Sequence, residues 1–332
     1  EALDALGNML AITTDLRGLL ETMTRRLHWA QHIDDPNELV DIHAEVSHAH
    51  QAVGEYAEAV NHARVALDFA NTSETEALQG HALSALVIAY FEWDHWQEAL
   101  DAGEQLLNVS TQAVVLRSHR LLASVLAMAT AKARMGDHDG ADALARRVAE
   151  SGQSCDVQYL AVGRARLALA NGATREARQI LLSGLEDREG RVGMALLLAE
   201  LAELAACQGD AELYERYGPQ ALELGWRSGA RKALAQAIRA RGIVAVAAER
   251  WDDALSDLES ACTRYADLGT PWEEARTRFM LAGLYRRRSL AGDDERAQDE
   301  LNHALEMFNT LGAGRDSTRV RAALAEGEIH LP

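Results

Sequence analysis

Histidines are the residues in this chain best equipped for chemistry, and they are unevenly placed. Eight of the twelve lie within the first hundred residues. His28 and His32 are four apart, so a helix would put both imidazoles on one face, a spacing that can hold a metal ion. No carboxylate or cysteine completes that pair at a recognised spacing, and no metal site is expected. His43 and His50 are seven apart and are expected at packing positions between helices. Cys155, Cys207 and Cys262 are widely separated inside helical patterns and make no metal-type spacing. An odd, unclustered set of thiols suits a reducing compartment and a cytoplasmic location. The carboxylate pairs Asp252–Asp253 and Asp293–Asp294 fall where helices should begin, where negative charge meets the helix dipole favourably. Neither a phosphate-cradling glycine loop nor a G-x-S-x-G elbow occurs. The expectation is therefore no catalysis and no cofactor.

The elements that must position these groups are helices. Among 332 residues only 4 are proline, and Ala, Leu, Glu and Arg dominate, side chains that lose little rotamer freedom on a helix. No alternating β-branched run is long enough to suggest a sheet, and no apolar run is long enough to cross a bilayer. The net charge of -18 is concentrated at one end. Residues 1–110 hold 19 acidic and 4 basic side chains, a balance of -15, and the remainder holds 32 and 29, a balance of -3. An acidic surface repels phosphate backbones, so direct nucleic-acid binding is not expected. The chain begins at Glu1 inside a helical pattern without an initiator Met, and the expectation is a piece of a longer protein.

Self-similarity organises the whole sequence. One turn pattern occurs seven times: a Gly or polar residue, often an aromatic two positions later, and an Ala three beyond that. It reads Gly54-Glu55-Tyr56 then Ala59, Asp94-His95-Trp96 then Ala99, and Gly136-Asp137-His138 then Ala141. It continues as Gly172-Ala173-Thr174 then Ala177, and Gly209-Asp210-Ala211 with Tyr214 in the Ala place. Glu249-Arg250-Trp251 then Ala254, and Gly292-Asp293-Asp294 then Ala297, complete it. The steps between Ala-equivalent positions are 40, 42, 36, 37, 40 and 43 residues. The Gly allows positive φ at a helix end, the polar residue caps the next helix, and the Ala lets two helices cross closely. Apolar stripes flank every turn at helical spacing, as in Leu83, Leu86, Val87 and Tyr90. One hairpin cannot bury both its faces; stacked hairpins can, through one elongated core. Three regions are expected: residues 1–36 as a partial first repeat, 37–310 as seven hairpins, and 311–332 as a capping helix and tail.

This pattern resembles the tetratricopeptide repeat, with a longer period and mostly without the closing proline. The resemblance implies an all-α, right-handed superhelical solenoid of antiparallel hairpins. A local signature narrows it: Leu268-Gly269-Thr270-Pro271-Trp272-Glu273-Glu274-Ala275-Arg276, then Leu281-Ala282-Gly283-Leu284-Tyr285, and Ala304-Leu305-Glu306-Met307-Phe308. It is similar to the C-terminal helical repeats of large bacterial signal-transduction ATPases, among them regulators like the maltose activator MalT and LuxR-type regulators. That resemblance implies a sensor segment in a protein whose ATPase and effector domains lie elsewhere. Its partner would be a protein, a peptide, another domain of its own longer chain, or a small inducer.

In such stacks the first helices of successive hairpins line the concave face. The turns then place Asp41, His48, Gln51, His81, Ser84 and Glu92 there in the first hairpins. Arg134, Arg166 and Glu203 follow in the middle, and Gln236, Arg239, Arg276, Arg286 and Arg287 towards the end. The expected groove runs from acidic and His-bearing to Arg-bearing, with arginines pairing a partner's carboxylates. Two other readings remain open. One is a free-standing adaptor or peptide-pheromone receptor. The other is a small-molecule receptor using Trp93, Trp96, Trp251 and Trp272, residues that also coincide with packing positions.

Overall fold

In the computed structural model the described residues are 2–30, 32–73, 75–109, 119–151, 158–186, 193–326 and 329. Seventeen helices and no strand occur among them. The chain divides into two compact units. The first comprises residues 1–133, 137–197 and 228–230, and the second residues 134–136, 198–227 and 231–332.

The helices pair as hairpins in chain order. The opening pair is α1 (Ala2–Ile12) and α2 (Leu16–Ala30). Next come α3 (Pro36–Val53) with α4 (Tyr56–Ser73), α5 (Glu76–Glu92) with α6 (Trp96–Val109), α7 (His119–Met135) with α8 (His138–Glu150), and α9 (Gln158–Ala170) with α10 (Thr174–Glu186). Then follow α11 (Met194–Gln208) with α12 (Ala211–Ser228), α13 (Arg231–Ala247) with α14 (Trp251–Leu268), and α15 (Pro271–Arg288) with α16 (Asp293–Thr310). The last helix is α17 (Gly314–Glu326), packed on α16.

One hydrogen-bond device makes six of the seven recurring turns. The chain takes one left-handed residue, Gly54, Asp94, Gly136, Gly172, Gly209 or Glu249. The next amide N–H then reaches back five residues, as Glu55 N to the His50 carbonyl at 2.9 Å and Arg250 N to the Ala245 carbonyl at 2.9 Å. This closes the first helix in a Schellman cap. The carbonyl of the same residue accepts from the Ala-position amide, Ala59 N to Glu55 O at 3.0 Å and Ala254 N to Arg250 O at 2.9 Å. The turn thereby fixes where the Ala sits, and Ala59, Ala99, Ala141, Ala177, Ala254 and Ala297 are all fully buried. Only a small side chain fits at these crossings.

Departures from the pattern have local causes. Tyr214 occupies an Ala place because Gly218, one turn on, leaves room for its ring; a Cβ on Gly218 would lie 2.7 Å from ring atoms. The seventh turn is longer, which accounts for the longest step of the repeat. Ser289 is left-handed there, and Asp293 closes the loop on Arg288 with bonds of 2.8 and 2.9 Å and on the Leu290 amide at 2.9 Å. Asp293 is thus a buried clasp, a stronger role than the dipole contact expected for it; its acidity is held at about 2, chiefly by the Arg288 hydrogen bonds. An eighth turn of this kind lies outside the recurring pattern: Thr14 is left-handed and Asp15 N bonds the Leu10 carbonyl at 3.0 Å, joining α1 to α2. Successive hairpins share their cores, as Met23 and Ala30 of α2 do with Ile42, Val46 and Ala49 of α3.

Candidate functional site

The first helices of successive hairpins carry polar side chains that bond from hairpin to hairpin. In the first unit Asp41, Glu45 and His48 lie on one stripe of α3, at helical spacings of four and three. Arg26 of α2 donates to Asp41 at 2.6 Å. Arg120 of α7 donates to Glu45 and, at 3.1 Å, to Nε2 of His81 on α5. That bond makes Nε2 the acceptor and puts the His81 proton on Nδ1. The Ser84 and Ser124 hydroxyls pair at 2.7 Å, joining α5 to α7. Glu92 of α5 accepts from Arg166 of α9 at 2.6 Å. Gln51 lies one turn beyond His48 and is half-buried.

These contacts set the charge states. Burial alone would raise the Glu45 carboxyl, but His48, the Arg120 hydrogen bond and the Arg120 charge outweigh it and hold it at about 2. Burial and then the Arg120 charge push His48 down to about 3, and the same two causes lower His81. Both imidazoles are neutral at neutral pH. Donor atoms of Asp41, Glu45 and His81 all lie within 4.8 Å of one another, close enough to share a metal ion. Arg26 and Arg120 already supply the positive charge that such an ion would bring.

The second unit contains a tighter version. Arg239 of α13 is fully buried, and all five of its N–H groups are used. Nε and Nη2 grip Glu203 of α11 at 2.9 Å each. Nη2 also donates to the Glu273 carboxylate of α15 at 2.7 Å, and Nη1 to the Glu273 carbonyl at 3.1 Å and the Thr277 hydroxyl at 3.2 Å. Gln236 adds a bond to Glu203 at 2.7 Å, and Arg276 reaches Glu203 and Glu273 at 3.2 and 3.1 Å. Two arginines thus balance two glutamates. Burial would raise both carboxyls; Arg239 and Arg276 outweigh it and keep both low. Burial, followed by the Glu203 charge, pushes the nearby Cys207 thiol up to about 12, so it stays protonated. Beside the network, Arg134 and Arg276 lie on the Trp272 ring at 3.5 and 4.6 Å, and Trp272 Nε1 donates to Asp316 at 2.9 Å.

The residues expected along the groove all ride on first helices of the hairpins, and they differ in exposure. Ser84, Glu92, Arg166, Glu203, Gln236 and Arg239 are buried, which corrects the expectation of an accessible groove at those positions. The physical reason is close helix approach. With small residues at the crossings, the flank of one first helix faces the next hairpin instead of solvent. Asp41, His48, Gln51, His81, Arg134, Arg276 and Arg286 are part-exposed, and Arg287 is exposed. Glu45, Arg120, Glu273 and Thr277 were missed; the available signal was charge inside otherwise apolar first helices. Trp96 and Trp272 are buried packing residues. Cys155 lies outside the described residues.

No protein family's sequence pattern matches the chain, and no curated protein does. Solved structures are similar in fold. The APC/C hetero-tetramer Cut9-Hcn1 matches with TM-score 0.64 at 16% identity, covering 96% of this chain and 55% of that one. The chain therefore spans about half the length of that relative. A signal-transduction ATPase with a tetratricopeptide repeat sensor from Pyrococcus horikoshii matches with TM-score 0.44 at 13% identity over 83% of this chain and 54% of that one. A Rap protein complexed with competence and sporulation factor matches with TM-score 0.42 at 12% identity over 97% and 74%. The fold is a tetratricopeptide-type array of helical hairpins.

Proposed function

We propose that the chain is a non-catalytic sensor or scaffold segment of a bacterial signalling or transcription-regulating protein. It binds a protein or peptide segment, from a partner or from its own longer chain, along the first-helix face of the first unit. The observation that supports this is the part-exposed ladder of Asp41, Glu45, His81 and Arg120, drawn from three successive hairpins. An extended segment crossing several hairpins would meet alternating acceptors and donors there. The fixed charge states favour binding over proton transfer. The Glu45 carboxyl at about 2, the neighbouring His48 imidazole at about 3 and the lowered His81 neither gain nor lose protons readily near pH 7. Cytoplasmic residence and a link to MalT-like regulators belong to the same reading.

Phage-displayed peptides selected on the whole chain test it. Selected peptides should bind saturably to the parent protein, and Asp41→Ala with Arg120→Ala should abolish that binding while the helical circular dichroism is kept. Binding undiminished in the double variant removes this face from consideration. A reading frame extending upstream into a nucleotide-binding ATPase would support the signalling assignment; a start codon just before Glu1 would favour a free-standing adaptor.

A further inference from the structure

Nδ1 of His43 on α3 and Nδ1 of His62 on α4 share a hydrogen bond at 3.0 Å across one hairpin, either ring being able to donate. Two nitrogens bound to one zinc, nickel or copper ion at about 2.0–2.1 Å each must lie roughly 2.9–3.4 Å apart, whichever of square or tetrahedral angles applies. The observed separation falls in that range without any movement of the backbone. We propose that His43 and His62 form a chelating site for a divalent transition-metal ion, with water in the remaining positions.

The surroundings fit that assignment. His50 stacks on His62 with ring centroids 5.4 Å apart and planes 13° from parallel, and Glu55 holds His50 through its Nδ1 at 2.7 Å. This fixes the His62 ring plane, as outer-shell contacts do in metal sites. On its far side His43 lies against Phe69, centroids 5.8 Å apart. Glu58, one turn before His62 on α4, brings a negative charge within electrostatic reach. Both histidines are half-buried, so an ion can enter from solvent while the rings stay held. Neutral imidazole is the metal-binding form, and the proton that the two Nδ1 atoms share would move to Nε2 of its ring as the ion takes its place. Nitrogen donors select copper, nickel and zinc over magnesium and calcium.

Calorimetric titration of the whole chain with Zn²⁺, Ni²⁺, Cu²⁺ and Mg²⁺ tests the proposal, together with His43→Gln, His62→Gln and a His28→Ala/His32→Ala double variant. One site is expected, tightest for Cu²⁺ and silent for Mg²⁺, weakened more than about tenfold by either glutamine variant. It should be unchanged in the double alanine variant. Equal binding by the parent and both glutamine variants overturns the proposal, and so does loss of binding in the double alanine variant. Should a glutamine variant fail to fold, imidazole nitrogen shifts of the parent protein decide the matter. Zn²⁺ should move the Nδ1 signals of His43 and His62, and unmoved signals at saturation overturn the site.

Discussion

Arg239 shows how much one side chain can be asked to do in this fold. It is buried with every N–H occupied, and it holds two carboxylates, Glu203 and Glu273, that Arg276 also pairs and whose charge Lys232 and Arg134 help to offset at Glu273. A buried ion network adds little over an apolar core of the same shape, but removing one member strands the rest. Arg239→Ala should therefore destabilise the second unit by about 3–5 kcal/mol in denaturant titration. Arg239→Met and Arg276→Met together with Glu203→Leu and Glu273→Leu should recover much of that loss, because none of the four charges is then left without its partner. Histidine 48 makes the matching case in the first unit, with the opposite proton economy. Its neutral ring is packed beside Arg120, Glu45 and His81, and its folded value of about 3 lies far below the free value of about 6.5. A depressed value means that the unfolded chain binds the proton first, so the stability it contributes is complete above pH 6.5 and drains away as pH falls towards 3. Unfolding midpoints measured at pH 7 and pH 5 should differ in the parent protein and differ less in His48→Asn. An equal drop in both would assign the acid sensitivity elsewhere.

At the scale of the element, the turn was legible because its chemistry is local. A left-handed residue, a capping carbonyl and an Ala at a fixed distance leave a mark in any sequence that uses them, and six of the seven turns make the same bonds, one of them with Tyr214 in the Ala place. The Thr14–Asp15 turn uses the same hydrogen bond without Gly, aromatic or Ala, so the pattern could not expose it. The candidate site was legible only by halves. Helical phase predicts which helix a residue rides on, whereas burial depends on how closely the neighbouring hairpin approaches, a long-range property carried by residues some forty positions away. His43 and His62 escaped for the same reason: nineteen positions separate them, and only the hairpin joins them. The turn itself makes a quantitative prediction. Glu249 is exposed and left-handed at φ 55, where a non-glycine residue is disfavoured by roughly 1–2 kcal/mol. Four other turns place glycine at this position without this cost, Gly54, Gly136, Gly172 and Gly209. Glycine also gains entropy on unfolding, which takes back part of the benefit. Glu249→Gly should raise stability by about 0.5–1 kcal/mol in a denaturant titration. A loss of stability would mean that the Glu249 side chain holds the turn by some contact of its own.

At the scale of the whole chain, contacts within each unit join neighbours in sequence, as α3 does α4 and α5 in the first and α15 does α14 and α16 in the second. In such arrays stability is close to a sum of repeat and neighbour terms, so a local defect need not unfold the remainder. The division into two compact units sharpens that expectation, because chains of this size commonly depart from two-state behaviour. The buried network of Glu203, Arg239 and Glu273 joins α11, α13 and α15 within the second unit, whereas α3 to α6 belong to the first. Arg239→Ala should then speed amide hydrogen exchange in α11, α13 and α15 by the full measure of its destabilisation. Amides of α3, α4, α5 and α6 should exchange at parental rates under the same conditions. Peptide-level exchange mass spectrometry reads both sets in one experiment. Uniform acceleration from α3 to α16 would show that the array melts as a single cooperative body, and the sum-of-neighbours description would fail for this chain.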